Sequence, residues 1–97
     1  MTLNDYRDEA KEFMTAIGAG GEHVSKILGW LDEELAALKE AAAKGDLPKL
    51  RHQVYDVLFL LFELAARFDV DLDGEWADGR QRKQEKYSKR KGNTGDD

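Results

Sequence analysis

The acidic residues beside the most apolar segment of the chain are the best candidates for chemistry. Asp56 is the only charged residue between His52 and Glu63, in a stretch dominated by leucine, valine and aromatic side chains. A carboxylate enclosed by such side chains must become neutral, pair with a cation or bind a metal ion. Gln53 precedes Asp56 by one helical turn, so the two side chains share one edge if the segment is a helix.

A second acidic cluster, residues 32–34, includes Glu34, which borders an apolar helical stripe. Glu34 lies eleven residues before Gly45, and Asp56 lies ten residues after Asp46. If Gly45–Asp46 is the turn of an antiparallel helical hairpin, equal separations from it place both carboxylates at one height. Two carboxylates between helices form an oxygen-rich site suited to a hard cation such as Mg²⁺.

The same carboxylates have a simpler interpretation as partners in ion pairs. Lys39, Arg51, His52 and Arg67 all lie on the two predicted helices and are available to them. Two carboxylates alone are a weak metal signature, so the residues leave the ion-pair and metal interpretations open.

Apolar periodicity predicts four helices, over about residues 3–17, 22–44, 47–68 and 74–89, and no strand. Gly45 suits a helix C-terminus, Asp46 suits the next N-cap, and Pro48 falls in the following first turn. This short connection predicts a central antiparallel hairpin of the second and third helices in an all-α fold. We expect one domain over residues 1–90 and a disordered tail over 91–97.

The third predicted helix is apolar on every side. Its apolar residues are Val54, Tyr55, Val57, Leu58, Phe59, Leu60, Leu61 and Phe62. A helix of this kind needs burial all round, which three other short helices cannot supply. The pattern therefore predicts a homo-oligomeric bundle, most simply a twofold dimer or a dimer of dimers.

Composition and charge exclude several classes of protein. The net charge of −5 lacks the basic footprint of nucleic-acid binders, and the longest uncharged apolar run, 57–62, is too short to cross a bilayer. There is no cysteine, and acidic residues at positions 5, 8 and 9 are unlike a signal peptide. We expect a cytoplasmic protein without nucleic-acid or membrane partners.

The basic residues are concentrated near the end of the chain. Residues 80–91 contain seven lysines and arginines against one acid, Glu85. This strip is either a phosphate-binding surface or a solvated helix end with favourable dipole placement. Trp30 and Trp76 are candidates for stacking on a base, or simply for the core.

Several segments resemble the MazG-like nucleotide pyrophosphohydrolases. Residues 33–41 with the Gly45–Asp46 turn resemble the family's first motif, Glu-Glu-x-x-Glu-Leu before a Gly-Asp turn, and residues 53–61 resemble its second, Glu-x-x-Asp-Val-Leu-Phe. Residues 70–72 and 75–76 resemble its connector, and 83–87 its Lys-Asn-x-x-Arg-Tyr ending. The phosphoribosyl-ATP pyrophosphohydrolases share a similar hairpin, but the ending favours the MazG-like group.

The resemblance implies an obligate dimer or tetramer that uses Mg²⁺, or Mn²⁺, to hydrolyse nucleoside triphosphates to monophosphates and pyrophosphate. It implies that Glu33 and Glu34 are catalytic and that one or the other orients the attacking water. By the same resemblance, the expected metal ligands are Glu34, Gln53 and Asp56. The expected phosphate-binding residues are Lys83, Lys86 and Tyr87.

Two departures from the family pattern affect the predicted metal set. Ala37 replaces the third glutamate of the first motif, and Gln53 replaces the glutamate of the second. Alanine offers no ligand, and a neutral amide is a poorer ligand than a carboxylate. The sequence therefore supports two hypotheses: a hydrolase with a reduced metal site, or a degenerate relative that binds nucleotides or a protein partner without hydrolysis.

Overall fold

The computed structural model describes residues 1–88, which form four α-helices. These are α1 (Leu3–Ala16), α2 (Val24–Lys44), α3 (Leu47–Arg67) and α4 (Leu72–Ser88). The predicted all-α fold is confirmed, and the described part of the chain contains no strand. None of the four helices is both long and apolar enough to span a membrane. The predicted tail over 91–97 lies outside the described residues.

The turn between α2 and α3 forms as its residue types predict. Gly45 adopts a left-handed conformation with φ of 68°, which residues with a Cβ adopt only at a cost. Its N–H and that of Asp46 donate to the carbonyls of Ala42 and Ala41 at the end of α2. The Asp46 carboxylate then accepts from the N–H of Lys49 and caps α3. The two helices form the most extensive helix–helix interface of the described chain.

Helix α1 packs on α3 through aromatic side chains. The ring centroids of Tyr6 and Phe62 are 5.9 Å apart, and those of Phe13 and Phe59 are 5.6 Å apart with the rings perpendicular. Thr2 and Asp5 form a capping box at the start of α1. The buried core includes Ala10 and Met14 of α1 and Ile27 of α2.

Helix α4 begins two residues earlier than the sequence predicts. Asp71 caps it by accepting from the N–H of Gly74. Asp73, in the first turn of α4, accepts from the N–H groups of Leu3 and Asn4 and so caps α1. These bonds join the first turns of α1 and α4, and between Leu72 and Ser88 no residue is buried.

One face of α3 stays uncovered in the single chain. Val54, Leu58 and Leu61 retain between 43% and 46% of their accessible surface. The expectation that the three other helices leave apolar surface of this helix exposed is therefore confirmed. The homo-oligomer that we infer from it stays a prediction.

Candidate functional site

The predicted carboxylate site lies midway along the α2–α3 hairpin. Counting along each helix from the turn places Glu34 about 16 Å and Asp56 about 15 Å away, so the two stand at comparable heights. Both residues are partly buried, whereas Asp32 and Glu33 are exposed on the neighbouring surface of α2. The hairpin thus carries one partly buried carboxylate on each helix, and their equal height stays a prediction from the helical rise.

Asp56 is paired within its own helix. Its Oδ2 lies 3.0 Å from Nε2 of His52, one turn earlier. The Asp56 side chain is 27% exposed, so it is not enclosed by the apolar stretch around it. For Asp56 the structure therefore shows one of the ion-pair partners that the sequence left open, while the metal interpretation stays a prediction. A metal ion at Asp56 would have to compete with the imidazole for this oxygen.

The residues around these carboxylates do not form a complete metal cage. Across residues 1–88, no three His, Cys, Asp or Glu side chains converge on a point that could hold a metal ion. Gln53 is buried, and its Oε1 has no hydrogen-bond partner among the described residues. The groups present fit Mg²⁺ that is shared with phosphate oxygens and water, because Mg²⁺ commonly takes only one or two carboxylates from the protein.

The predicted phosphate-binding residues lie elsewhere in the single chain. Lys83, Lys86 and Tyr87 are exposed on α4. The Lys86 Nζ lies 5.3 Å from the centroid of the Tyr87 ring. Helix α4 packs against the start of α1 and has at most marginal contact with α2 or α3. One chain therefore does not bring its basic strip to its own carboxylates.

The two tryptophans occupy different settings. Trp30 on α2 is partly buried, with Lys26 Nζ 5.8 Å from its ring centroid. Trp76 on α4 keeps 67% of its surface exposed. Trp30 lies one turn before Glu34, so only Trp30 is close along the chain to the carboxylate site.

The family of the chain follows from a comparison with known proteins. The family model of phosphoribosyl-ATP pyrophosphohydrolase matches residues 1–83. The chain belongs to this family. No curated protein and no solved structure matches it.

The phosphoribosyl-ATP pyrophosphohydrolases are enzymes of the MazG-like all-α pyrophosphatase superfamily. The superfamily resemblance is thus supported, while the narrower MazG assignment is not confirmed. The match includes α2, α3 and the three acids Glu33, Glu34 and Asp56. It ends at Lys83, so Lys86 and Tyr87 lie outside it.

The pyrophosphohydrolase fold of this chain also contains a buried ion pair that the sequence analysis missed. Glu63 Oε2 accepts from Nε of Arg67 at 3.0 Å, and the Glu63 side chain is 2% exposed. Glu63 Oε1 and Arg67 Nη2 have no partner among the described residues. The sequence did contain a signal for this pair, because Arg67 follows Glu63 by four residues, which is one helical turn. Glu63 itself lies two turns after Asp56 on α3.

An aromatic groove between α1 and α3 was also missed. It has a volume of about 490 Å³ and is lined mainly by the rings of Tyr6, Phe13, Tyr55, Phe59 and Phe62. Glu9 is the only charged residue in its lining. The groove shares Tyr55 with the sequence neighbourhood of Asp56. The apolar character of α3 predicted exposed surface here, but not its shape.

Proposed function

We propose that this member of the phosphoribosyl-ATP pyrophosphohydrolase family cleaves the α–β phosphoanhydride bond of a nucleoside 5′-triphosphate. Water and the triphosphate yield a nucleoside monophosphate and pyrophosphate. The observation that carries the proposal is the family match over α2 and α3, which contain Glu33, Glu34 and Asp56. These acids lie on partly buried or exposed positions that a ligand can reach.

Mg²⁺, or Mn²⁺ in its place, is the proposed cofactor. Glu34 and Asp56 supply carboxylate oxygens, and the unpartnered Oε1 of Gln53 supplies an amide oxygen. The remaining positions suit phosphate oxygens of the substrate and water. When bound, the ion offsets the charge that develops on the phosphates.

The side chains of the site have separate roles in this proposal. Glu33 and Glu34 accept hydrogen bonds from the attacking water and orient it, and one of them takes up its proton. The water oxygen bonds to phosphorus while the α–β bridging bond breaks, and pyrophosphate leaves. Lys83 and Lys86, with Tyr87, bind the phosphates, and Trp30 is the better placed of the two candidates to stack on the base.

Two classes of triphosphate are candidates for the substrate. The name of the family specifies phosphoribosyl-ATP. The resemblance of the motifs favours the ordinary ribo- and deoxyribonucleoside triphosphates. Both classes contain the α–β phosphoanhydride bond. A pyrophosphate-release assay with each compound, with and without Mg²⁺, therefore tests the proposal and ranks the substrates.

A second candidate function is nucleotide binding without hydrolysis. It is favoured by Ala37, which offers no ligand, and by the pairing of Asp56 with His52. Calorimetric binding of a nucleotide without pyrophosphate release from any compound would support this candidate. If the protein neither binds a nucleotide nor releases pyrophosphate, the remaining interpretation is a helical protein that acts through a partner protein.

We also propose that the protein is a dimer, or a dimer of dimers. Val54, Leu58 and Leu61 follow intervals of four and three residues on the uncovered face of α3. This spacing suits a shallow crossing with a second helix, and each large side chain covered contributes about 1.5–3 kcal/mol. Light scattering that gives the mass of a compact monomer would contradict the proposal.

A further inference from the structure

The imidazole of His52 lies beside the Asp56 carboxylate, which we propose as a metal ligand. Its Nε2 is 3.0 Å from Oδ2 of Asp56, because residues four apart on a helix share one face. The His52 side chain is 69% exposed and the Asp56 side chain is 27% exposed, so an ion from solvent can reach both of them. A nitrogen donor therefore adjoins an oxygen donor at the candidate metal site.

The distance between these two atoms suits neighbouring ligands of one octahedral ion. Imidazole nitrogen and carboxylate oxygen bind small divalent ions with bonds of about 2.0–2.2 Å. Two such ligands at a right angle lie about 3.0 Å from each other. An N–H···O hydrogen bond has the same length, so the ion pair already holds both atoms at a separation that a metal ion requires. Binding of an ion then needs little rearrangement of the two side chains.

The donor types around Asp56 differ from those of a site made for Mg²⁺ alone. Mg²⁺ prefers oxygen ligands, yet Ala37 and Gln53 stand where the family pattern has carboxylates. The amide oxygen of Gln53, one turn before Asp56, is buried without a hydrogen-bond partner among the described residues. An imidazole nitrogen favours first-row transition ions. One nitrogen with carboxylate and amide oxygens is therefore a mixed donor set, which suits Mn²⁺ or Co²⁺ better than Mg²⁺.

We propose that His52 is a metal ligand and that it shifts the preference of the carboxylate site from Mg²⁺ to Mn²⁺ and Co²⁺. Nε2 of His52 and Oδ2 of Asp56 occupy neighbouring positions around the ion, which replaces the hydrogen bond between them. With Mg²⁺ the imidazole contributes little, because this ion is bound through oxygen. The presence of a metal ion at Asp56 rests on the proposed function above, whereas the tests of His52 do not require hydrolysis.

Pulsed electron paramagnetic resonance of bound Mn²⁺ tests the ligand directly. A nitrogen nucleus bonded to Mn²⁺ modulates the electron spin echo, whereas carboxylate and water ligands contribute no nitrogen modulation. The chain contains two histidines, His23 and His52, so two variants decide the source of a signal. Protein without a histidine tag is loaded with substoichiometric Mn²⁺. We expect nitrogen modulation in the wild type and its loss in His52→Ala. His23→Asn is the matched control, in which asparagine preserves the N-cap of α2 and the modulation should remain.

Metal affinity measures the shift in preference. Wild type and variants are titrated calorimetrically with Mg²⁺, Mn²⁺ and Co²⁺. His52→Ala should weaken binding of Mn²⁺ and Co²⁺ by roughly tenfold or more, because each of these ions loses a ligand. It should weaken binding of Mg²⁺ by less than about twofold. Asp56→Asn should weaken the binding of all three ions, since each uses the carboxylate, and His23→Asn should leave all three unchanged.

Several outcomes would overturn the role of His52. They are bound Mn²⁺ without nitrogen modulation, modulation that persists in His52→Ala, and equal weakening of Mg²⁺ and Co²⁺ binding in that variant. Absence of Mn²⁺ binding by the wild type would reject this role together with the proposed cofactor. Pyrophosphate release by a wild type that shows no nitrogen modulation would reject the role of His52 and leave the proposed function intact. Nitrogen modulation in a wild type that releases no pyrophosphate would support the role and count against the proposed hydrolysis.

Discussion

His52 and Asp56 form an ion pair across one turn of α3, with Nε2 and Oδ2 3.0 Å apart. The pair joins Asp56, the strongest candidate for chemistry in the sequence, to His52, which the sequence offered only as an ion-pair partner. The imidazole is mostly exposed, and the carboxylate is partly buried. An exposed partner of this kind contributes little to folding stability. Replacing His52 should therefore change stability only slightly, whereas replacing Asp56 should reduce activity.

The first prediction separates the stability of this pair from its function. His52→Ala should lower the free energy of unfolding by no more than about 0.5 kcal/mol, because one partner is solvent-exposed. Asp56→Asn should reduce pyrophosphate release by roughly a hundredfold or more, since a ligand oxygen loses its charge. Urea denaturation and the release assay measure the two effects. Equal losses of activity in both variants would show that the imidazole itself takes part.

The second prediction concerns the left-handed glycine at the hairpin turn. Gly45→Ala should destabilise the protein by about 1 kcal/mol, because its φ of 68° is unfavourable for a residue with a Cβ. Gly29→Ala is a matched control on α2, with no atom within 4 Å of the added Cβ. It should stabilise by about 0.5–1 kcal/mol through helix propensity. Thermal unfolding that shifts in the same direction for both variants would contradict the backbone explanation.

The third prediction concerns the buried pair of Glu63 and Arg67. Arg67→Ala should cost about 3 kcal/mol or more, because it leaves the Glu63 carboxylate buried without its partner. Replacing both residues, as Glu63→Met with Arg67→Met, should be close to neutral or stabilising. Urea denaturation of the single and double variants forms the test. A double variant as unstable as the single one would show that Glu63 has another essential role.

The hairpin was predictable because its turn depends on local chemistry. Gly45, Asp46 and Pro48 have conformational preferences that act over a few residues, and the apolar spacing of α2 and α3 fixes which sides meet. The uncovered face of α3 was also predictable, since a fully apolar helix exceeds what one small chain can bury. These features follow from patterns within single helices.

The start of α4 and the burial of Glu63 depend on contacts between distant residues. Asp73 caps α1 through residues 3 and 4, about seventy positions earlier, and no local pattern reports that pairing. Glu63 is buried although its residue type favours the surface. Asp56 shows the converse, since its apolar sequence neighbours lie largely on other faces of α3. Sequence neighbours within a helix thus describe the surroundings of a side chain poorly.

The fourth prediction concerns stability in acid. The side-chain amide of Asn4, and then the N–H of Gly74, hold the pKa of Asp71 below its ordinary value. A carboxyl group with a lowered folded pKa stabilises the protein above its unfolded pKa and loses that contribution as the pH falls through the folded value. Asp71→Asn should therefore flatten the decline of melting temperature below about pH 4. Asp78→Asn, an exposed control on α4, should leave the decline unchanged; equal flattening would exclude a special role for Asp71.

The last prediction asks whether the metal site is limited by its two departures from the family pattern. Ala37 lies on α2 one turn after Glu34, and Gln53 lies on α3 one turn before Asp56, so Ala37→Glu with Gln53→Glu adds a carboxylate beside each existing one. Without metal, the charge added at the buried position of Gln53 should lower the melting temperature. Mg²⁺ should restore it, because an ion that binds only the folded state stabilises that state by mass action.

Pyrophosphate release should rise by roughly tenfold or more, since the ion is then held by the protein as well as by the phosphates. Ala36→Glu adds a single carboxylate at an exposed neighbouring position of α2 and should change neither property. A double variant that stays destabilised in Mg²⁺ and releases no more pyrophosphate would show that these four positions do not surround one ion, and it would favour nucleotide binding without hydrolysis as the function of the natural chain.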